Sequence, residues 1–220
     1  MLPRTGFLAQ ASPELTETLE RLAQTVTLDT GETLFEQGDT GAALYAVTHG
    51  ALEISVLSED GRKFALDVMR DGAVLGEIAL FDPGPRTATV TATEPTELLR
   101  IRNGDLLREI RVAPELGIDM IALAGQRMRW MNRQITEQVF LPMQTRLARK
   151  VLYLTDKSDP ATDLLSLSQS ELADFVGATR EAVSKALSEW KKMGTVSSSR
   201  RGIQILDRAA LQALADLDQI

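Results

Sequence analysis

The sequence predicts an α+β chain: a small β-roll or barrel in front, one long helix in the middle, and a winged helix-turn-helix behind. Three observations carry that reading. Glycines recur at 31, 38, 41, 50, 61, 72 and 76 among short alternating apolar stretches, the texture of brief strands joined by tight turns. Apolar residues three and four apart then run through Ile121, Ala124, Met128, Met131 and Ile135, the period of a long helix. Two helical patterns meet at Gly177 near the C-terminus, as in a helix-turn-helix.

Each element has its own signal. Ser12-Pro13-Glu14 reads as an N-cap with proline in the first turn, and Leu15, Leu19 and Leu22 follow at helical spacing. From Val26 to Arg102 apolar residues alternate, as in Ala51 to Leu57, and Glu59-Asp60-Gly61-Arg62 reads as a hairpin turn. Asn103 is expected to cap a short helix through Arg111. The long helix is expected from near Ala113 to Val139. Its alternating spacing of three and four makes a seam of period 3.5 suited to a homodimer, with Arg127, Arg129, Arg133 and Gln134 flanking it. Leu123 and Trp130 fall on another face and suit packing on the front domain. Pro142 disfavours helix at Leu141, so Phe140-Leu141 is the expected hinge. The organisation follows as 1–112, 113–139 and 140–220. Gln144 to Leu154 should be helical and Lys157 to Ala161 a loop.

Composition narrows the chemistry. The 220 residues are 44% hydrophobic and 25% charged, with no cysteine and one histidine, His49. Thiolate metal sites, iron–sulfur clusters and disulfides are excluded. No cluster of carboxylates, histidines or metal ligands points to an enzyme. No apolar run approaches the ~18 residues of a membrane span, and the N-terminal stretch lacks a signal peptide's apolar core, so a cytoplasmic protein without membrane contact is expected. The net charge of −7 is uneven. Residues 1–139 hold 13 basic and 21 acidic side chains, whereas between Arg180 and Arg201 six basic residues face two acidic ones. Local charge is what meets phosphate.

Residues 76–92, GEIALFDPGPRTATVTA, have the layout of a phosphate cradle. Gly76 lets backbone approach an anion. The amides of Ile78 and Ala79 open a short helix whose dipole favours negative charge. Arg86 supplies a planar fork for phosphate oxygens, and Thr87 a hydroxyl. Glu77 would repel a phosphate, but it suits a ligand hydroxyl such as a ribose 2′-OH. An anion and a sugar hydroxyl together suggest a nucleotide. Taken singly, these residues would also serve as a turn glycine, a helix-start charge and a surface ion pair.

In residues 168–193, Ser168 or Ser170 can cap a first helix carrying Leu172, Ala173 and Val176, and Gly177 offers a left-handed turn. Thr179 caps the second helix, which buries Val183, Leu187 and Trp190 and turns Arg180, Glu181, Ser184 and Lys185 outward. Arg180 can bind guanine O6 and N7, Glu181 can accept from cytosine N4, and Lys185 can read guanine or hold phosphate. Residues 195–206 read as a two-stranded wing whose tip, Arg200 and Arg201, suits DNA backbone contacts.

Gly-Glu-x-x-Leu followed by Pro-Arg-Thr-Ala resembles the phosphate-binding cassette of cyclic-nucleotide-binding domains, and Gly31 to Gly38 resembles their β-roll. The segment TREAVSKAL resembles the recognition helix of the catabolite activator family. The two motifs, in this order, are similar to the Crp/Fnr regulators over nearly the whole chain. The resemblance implies that Glu77 takes the ribose 2′-OH and that Arg86 and Thr87 take the cyclic phosphate, helped by Gly76 and the amides of Ile78 and Ala79. It implies a homodimeric transcription activator on double-stranded DNA with a palindromic site, with RNA polymerase as a further partner. In cAMP-responsive members a Thr-Ser pair on the long helix meets the purine; the matching positions here hold Met131 and Asn132. The expected ligand is cAMP. The alternative is cGMP, with which a threonine beside the cassette arginine is associated in related domains. A ligand-independent regulator, or a nucleotide-binding module acting on a protein partner, are the rival readings.

Overall fold

The computed structural model describes residues 2–3, 5–158, 163–199 and 202–216. The chain divides into two compact units, Met1–Leu57 with Leu66–Trp130 and Ser58–Ala65 with Met131–Ile220.

The first unit opens on a 3-10 turn (Gly6–Ala9) and helix α1 (Pro13–Leu22). The Ser12 hydroxyl accepts from the Leu15 amide, and Pro13 occupies the first turn where its missing N–H costs nothing. Strands β1 (Gln24–Leu28), β2 (Thr33–Phe35), β3 (Ala43–His49), β4 (Ala51–Leu57), β5 (Lys63–Arg70), β6 (Val74–Leu75), β7 (Thr89–Ala92) and β8 (Thr96–Arg102) follow, with helix α2 (Ile78–Phe81) between β6 and β7. They form two four-stranded sheets, ordered β1-β8-β3-β6 and β2-β7-β4-β5. The expected roll is therefore present. The Glu59 to Arg62 turn joins β4 to β5, with Gly61 at φ 79°.

Alternation along the strands builds one core between the sheets, including Val47, Leu52, Ile54, Met69, Val90 and Leu98. A second core lies on the helical side of the first sheet. There Leu15, Leu19, Leu44, Ile101 and Leu106 meet Leu116, Met120 and Leu123 of the long helix. Burying each such leucine contributes about 1.5–3 kcal/mol. Leu123 thus packs on its own domain, as its position off the seam predicts.

Asn103 does not cap the helix that follows. Helix α3 (Asn103–Val112) begins at Asn103, with Arg102 in the cap position and no side-chain cap bond. The Asn103 side chain turns inward instead, and its amide donates to the Ala79 carbonyl at 2.9 Å. A long-range bond to buried backbone displaces the local capping bond that propensity favours.

The long helix α4 runs Glu115–Phe140, starting after Pro114. The helix breaks at Leu141-Pro142, as the proline predicts, before α5 (Met143–Ser158), while the division between the two units falls earlier, between Trp130 and Met131. Helix α5 extends past Leu154, so Lys157 and Ser158 are helical rather than loop; residues 159–161 of that expected loop lie outside the described residues.

In the second unit, a short strand β9 (Leu164–Leu165) precedes α6 (Gln169–Val176) and α7 (Arg180–Lys192). Strands β10 (Val196–Ser199) and β11 (Gly202–Ile205) and helix α8 (Arg208–Asp216) follow. The wing is a three-stranded antiparallel sheet, β10-β11-β9. Leu147, Val151, Leu172, Val183, Trp190 and Leu211 are fully buried in the core of this unit.

Candidate nucleotide and nucleic-acid sites

The cassette begins where β6 ends. Gly76 adopts φ 81°, and a Cβ there would stand 2.6 Å from Arg86 Nη1 and 2.9 Å from the Ala43 carbonyl. Only glycine satisfies both the left-handed backbone and the close approach. Glu77 occupies the position before α2 and is 5% exposed. Ala79 is buried, whereas Ile78 and Thr87 are exposed. Helix α2 is a single turn of four residues, so its free amides, rather than a summed helix dipole, are what it offers an anion.

Arg86 is anchored by its backbone first. Its amide donates to the Asp39 carbonyl at 2.7 Å, and its carbonyl accepts from Gly38 at 2.9 Å. The side chain then turns inward and is 7% exposed. Nη2 donates to the Ala43 carbonyl at 2.8 Å, and Nη1 reaches the Gly76 carbonyl at 3.4 Å. Nε is buried and has no acceptor among the described residues. The Phe35 ring centroid lies 4.1 Å from Cζ and that of Tyr45 5.7 Å. Burial pushes the guanidinium below its ordinary pKa, and nearby Tyr45 and Glu77 partly offset this. A buried guanidinium that burial pushes below its ordinary pKa, with one donor unused, is incompletely compensated in a poorly solvated place. An anionic oxygen would complete it.

Several site residues carry no sequence signal that isolates them. Gly41 reads as one turn glycine among many, yet a Cβ there would meet Ala79 Cβ at 2.7 Å and Arg86 Cζ at 3.2 Å. Phe35 and Tyr45 read as strand core. Arg127 reads as a solvated flank of the seam, yet its Nε lies 3.8 Å from Glu77 Oε1 and its Cζ 5.3 Å from the Trp130 ring. Met131 and Asn132 lie on α4 within the second unit.

Along α4 the expected seam is open. Ile121, Met128, Met131 and Ile135 are 67%, 65%, 46% and 59% exposed. A stripe of large apolar side chains at heptad spacing is unusual on a monomer's surface.

The helix-turn-helix forms as expected. Ser168 caps α6 through a capping box with Glu171, and Gly177 ends it at φ 65°. The Thr179 hydroxyl accepts from the Ala182 amide and caps α7. Arg180, Glu181 and Lys185 are exposed near the start of α7, Ser184 is half-buried, and Val183, Leu187 and Trp190 face the core. Arg200 and Arg201 lie outside the described residues.

The Cyclic nucleotide-binding domain family matches residues 25–112, and the Crp-like helix-turn-helix domain family matches residues 145–214. A cyclic AMP receptor protein of Thermus thermophilus is 30% identical over 185 residues, 84% of this chain and 85% of that protein. The chain belongs to the Crp/Fnr family. Another relative, a CRP-like cAMP-activated global transcriptional regulator of Mycobacterium tuberculosis, is 28% identical over 216 residues, 96% of each chain. Among solved structures, a CRP/FNR-family transcriptional regulator of Thermus thermophilus superposes with a TM-score of 0.77 at 26% identity, covering 88% of this chain and 98% of that one. As a Crp/Fnr regulator the chain is a DNA-binding protein of transcription, with a cyclic-nucleotide-binding domain in front of its helix-turn-helix.

Proposed function

We propose that this Crp/Fnr regulator is a cAMP-responsive homodimer that activates transcription in the cytoplasm from palindromic double-stranded DNA, with RNA polymerase as its further partner. One observation carries the ligand reading: Arg86, buried between Gly76 and Gly41, keeps Nε unpaired. The cyclic phosphate is the anion that would use it, with Thr87 and the amides of Ile78 and Ala79 beside it. Glu77 would accept the ribose 2′-OH, and the base would meet the long helix at Met131 and Asn132. The names of the relatives favour cAMP; Thr87 keeps cGMP as the alternative.

The exposed stripe from Ile121 to Ile135 supports the dimer. Pairing through it would set two recognition helices for successive major grooves, about 34 Å apart. Thr179, Arg180, Glu181, Ser184 and Lys185 would then read bases and phosphates, with Arg200 and Arg201 on the backbone. The division of labour is residues 1–112 for ligand, 113–139 for pairing and 140–220 for DNA. The ligand acts only through unequal affinity for two arrangements of the dimer.

Calorimetry with cAMP, cGMP and linear 5′-AMP tests the site, and DNA titration with and without the bound nucleotide tests the response. Binding of cAMP that tightens DNA binding is the expected result. Equal DNA affinity in all conditions, with no nucleotide bound, would establish the ligand-independent reading instead.

A further inference from the structure

We propose that Phe35 is the positioning residue of the phosphate site: its ring fixes the plane of the Arg86 guanidinium and so aims Nε at an incoming phosphodiester. The inference rests on the nucleotide reading of the cassette and names what holds its arginine.

A guanidinium carries its donors in one plane and exposes two apolar faces. In that plane Arg86 has two anchors, the carbonyls of Ala43 and Gly76. Two in-plane anchors still let the group tilt about the line that joins them. A flat surface against one face removes that freedom. The Phe35 ring packs beside the group with its centroid 4.1 Å from Cζ, close enough to serve as that surface. The ring is itself braced by Tyr45, whose centroid lies 5.9 Å away with the planes inclined by 37°.

The backbone at Phe35 is adapted to this contact. Strand β2 pairs with β7 as Thr33 to Thr91 and then Phe35 to Val90, so the register slips between Thr33 and Phe35. Such a slip re-aims a side chain relative to its strand. An aliphatic residue there would still cover the sheet, but it lacks the negative ring face that attracts a cation. Phe35 needs no contact with the ligand; it acts through Arg86.

Two measurements on the full chain test this. In calorimetry with cAMP, Phe35→Leu should weaken binding about fivefold, the order of the cost of immobilising one more side chain on binding, whereas Phe35→Tyr should stay within about twofold because it keeps the ring. In NMR of the ligand-free protein, the Arg86 Nε–H proton should resonate upfield under the ring current. It should return to its ordinary position in Phe35→Leu and remain shifted in Phe35→Tyr. Unchanged affinity in Phe35→Leu, or an Nε–H signal indifferent to that substitution, would overturn the proposal. If the unaltered chain bound neither cAMP nor cGMP, the nucleotide reading would fail. The NMR comparison would still decide whether Phe35 holds Arg86.

Discussion

Glu77 Oε1 lies 3.8 Å from Arg127 Nε, which couples the cassette to the long helix inside the first unit. The Glu77 side chain is 6% exposed and the Arg127 side chain 26%. A carboxylate so enclosed depends on its cationic neighbour for compensation. Arg127→Met is expected to lower unfolding free energy by about 1–2 kcal/mol in urea titration, since the pair is not fully dry. Adding Glu77→Gln should return most of that loss, because the uncompensated charge is then gone. A double variant as unstable as Arg127→Met alone would show that packing on Trp130, not charge, is what Arg127 supplies.

Arg86 separates stability from binding. Its guanidinium has two carbonyl acceptors and an unpaired, buried Nε. Arg86→Met removes two hydrogen bonds and one desolvated charge together. The expected cost is below about 1 kcal/mol, well short of the roughly 2–5 kcal/mol of a buried leucine truncation. The rise in thermal midpoint caused by cyclic nucleotide should vanish in the same variant, since that rise follows ligand occupancy. Differential scanning calorimetry reads both quantities in one experiment.

The proposed pairing is tested at the open stripe on α4. Ile121→Asp with Ile135→Asp changes two positions that are 67% and 59% exposed, so each protomer should keep its circular dichroism. Charge placed in a heptad seam opposes pairing. Sedimentation velocity should then find monomers where the unaltered chain sediments as a dimer. A dimer that survives both substitutions would move the interface elsewhere.

Recognition and folding part company on α7. Arg180 is exposed at the helix start, so Arg180→Ala should leave thermal stability and nucleotide binding alone. It should cost sequence-specific DNA affinity about 1–3 kcal/mol and relax selectivity at one position. Thr179→Ala should behave differently, because its hydroxyl accepts from Ala182. Loss of that cap is expected to lower stability by about 1 kcal/mol. Fluorescence anisotropy on specific and scrambled duplexes, beside thermal melts, separates the two effects.

Elements with a local cause are legible in the residues themselves. The Ser12 and Thr179 caps, the Gly61 and Gly177 turns and the proline break at Leu141 each depend on residues within a few positions of one another. Asn103 shows where local logic stops. Its type signals a cap, but its amide finds a stronger claim 24 residues away in the Ala79 carbonyl. Arg127 looks solvated along the chain because nothing near it announces Glu77.

The amino-acid order alone determined the architecture, the two motifs and the residue types proposed for phosphate and DNA, because periodicity, turns and caps are short-range physics. Folding decided the rest: that Arg86 points inward with Nε unpaired, that Phe35 and Tyr45 lie against it, and that Gly41 and Gly76 leave it room. Phe35 and Tyr45 precede Arg86 by 51 and 41 positions of chain, and only the packing of strands remote in sequence brings such groups within a few ångströms.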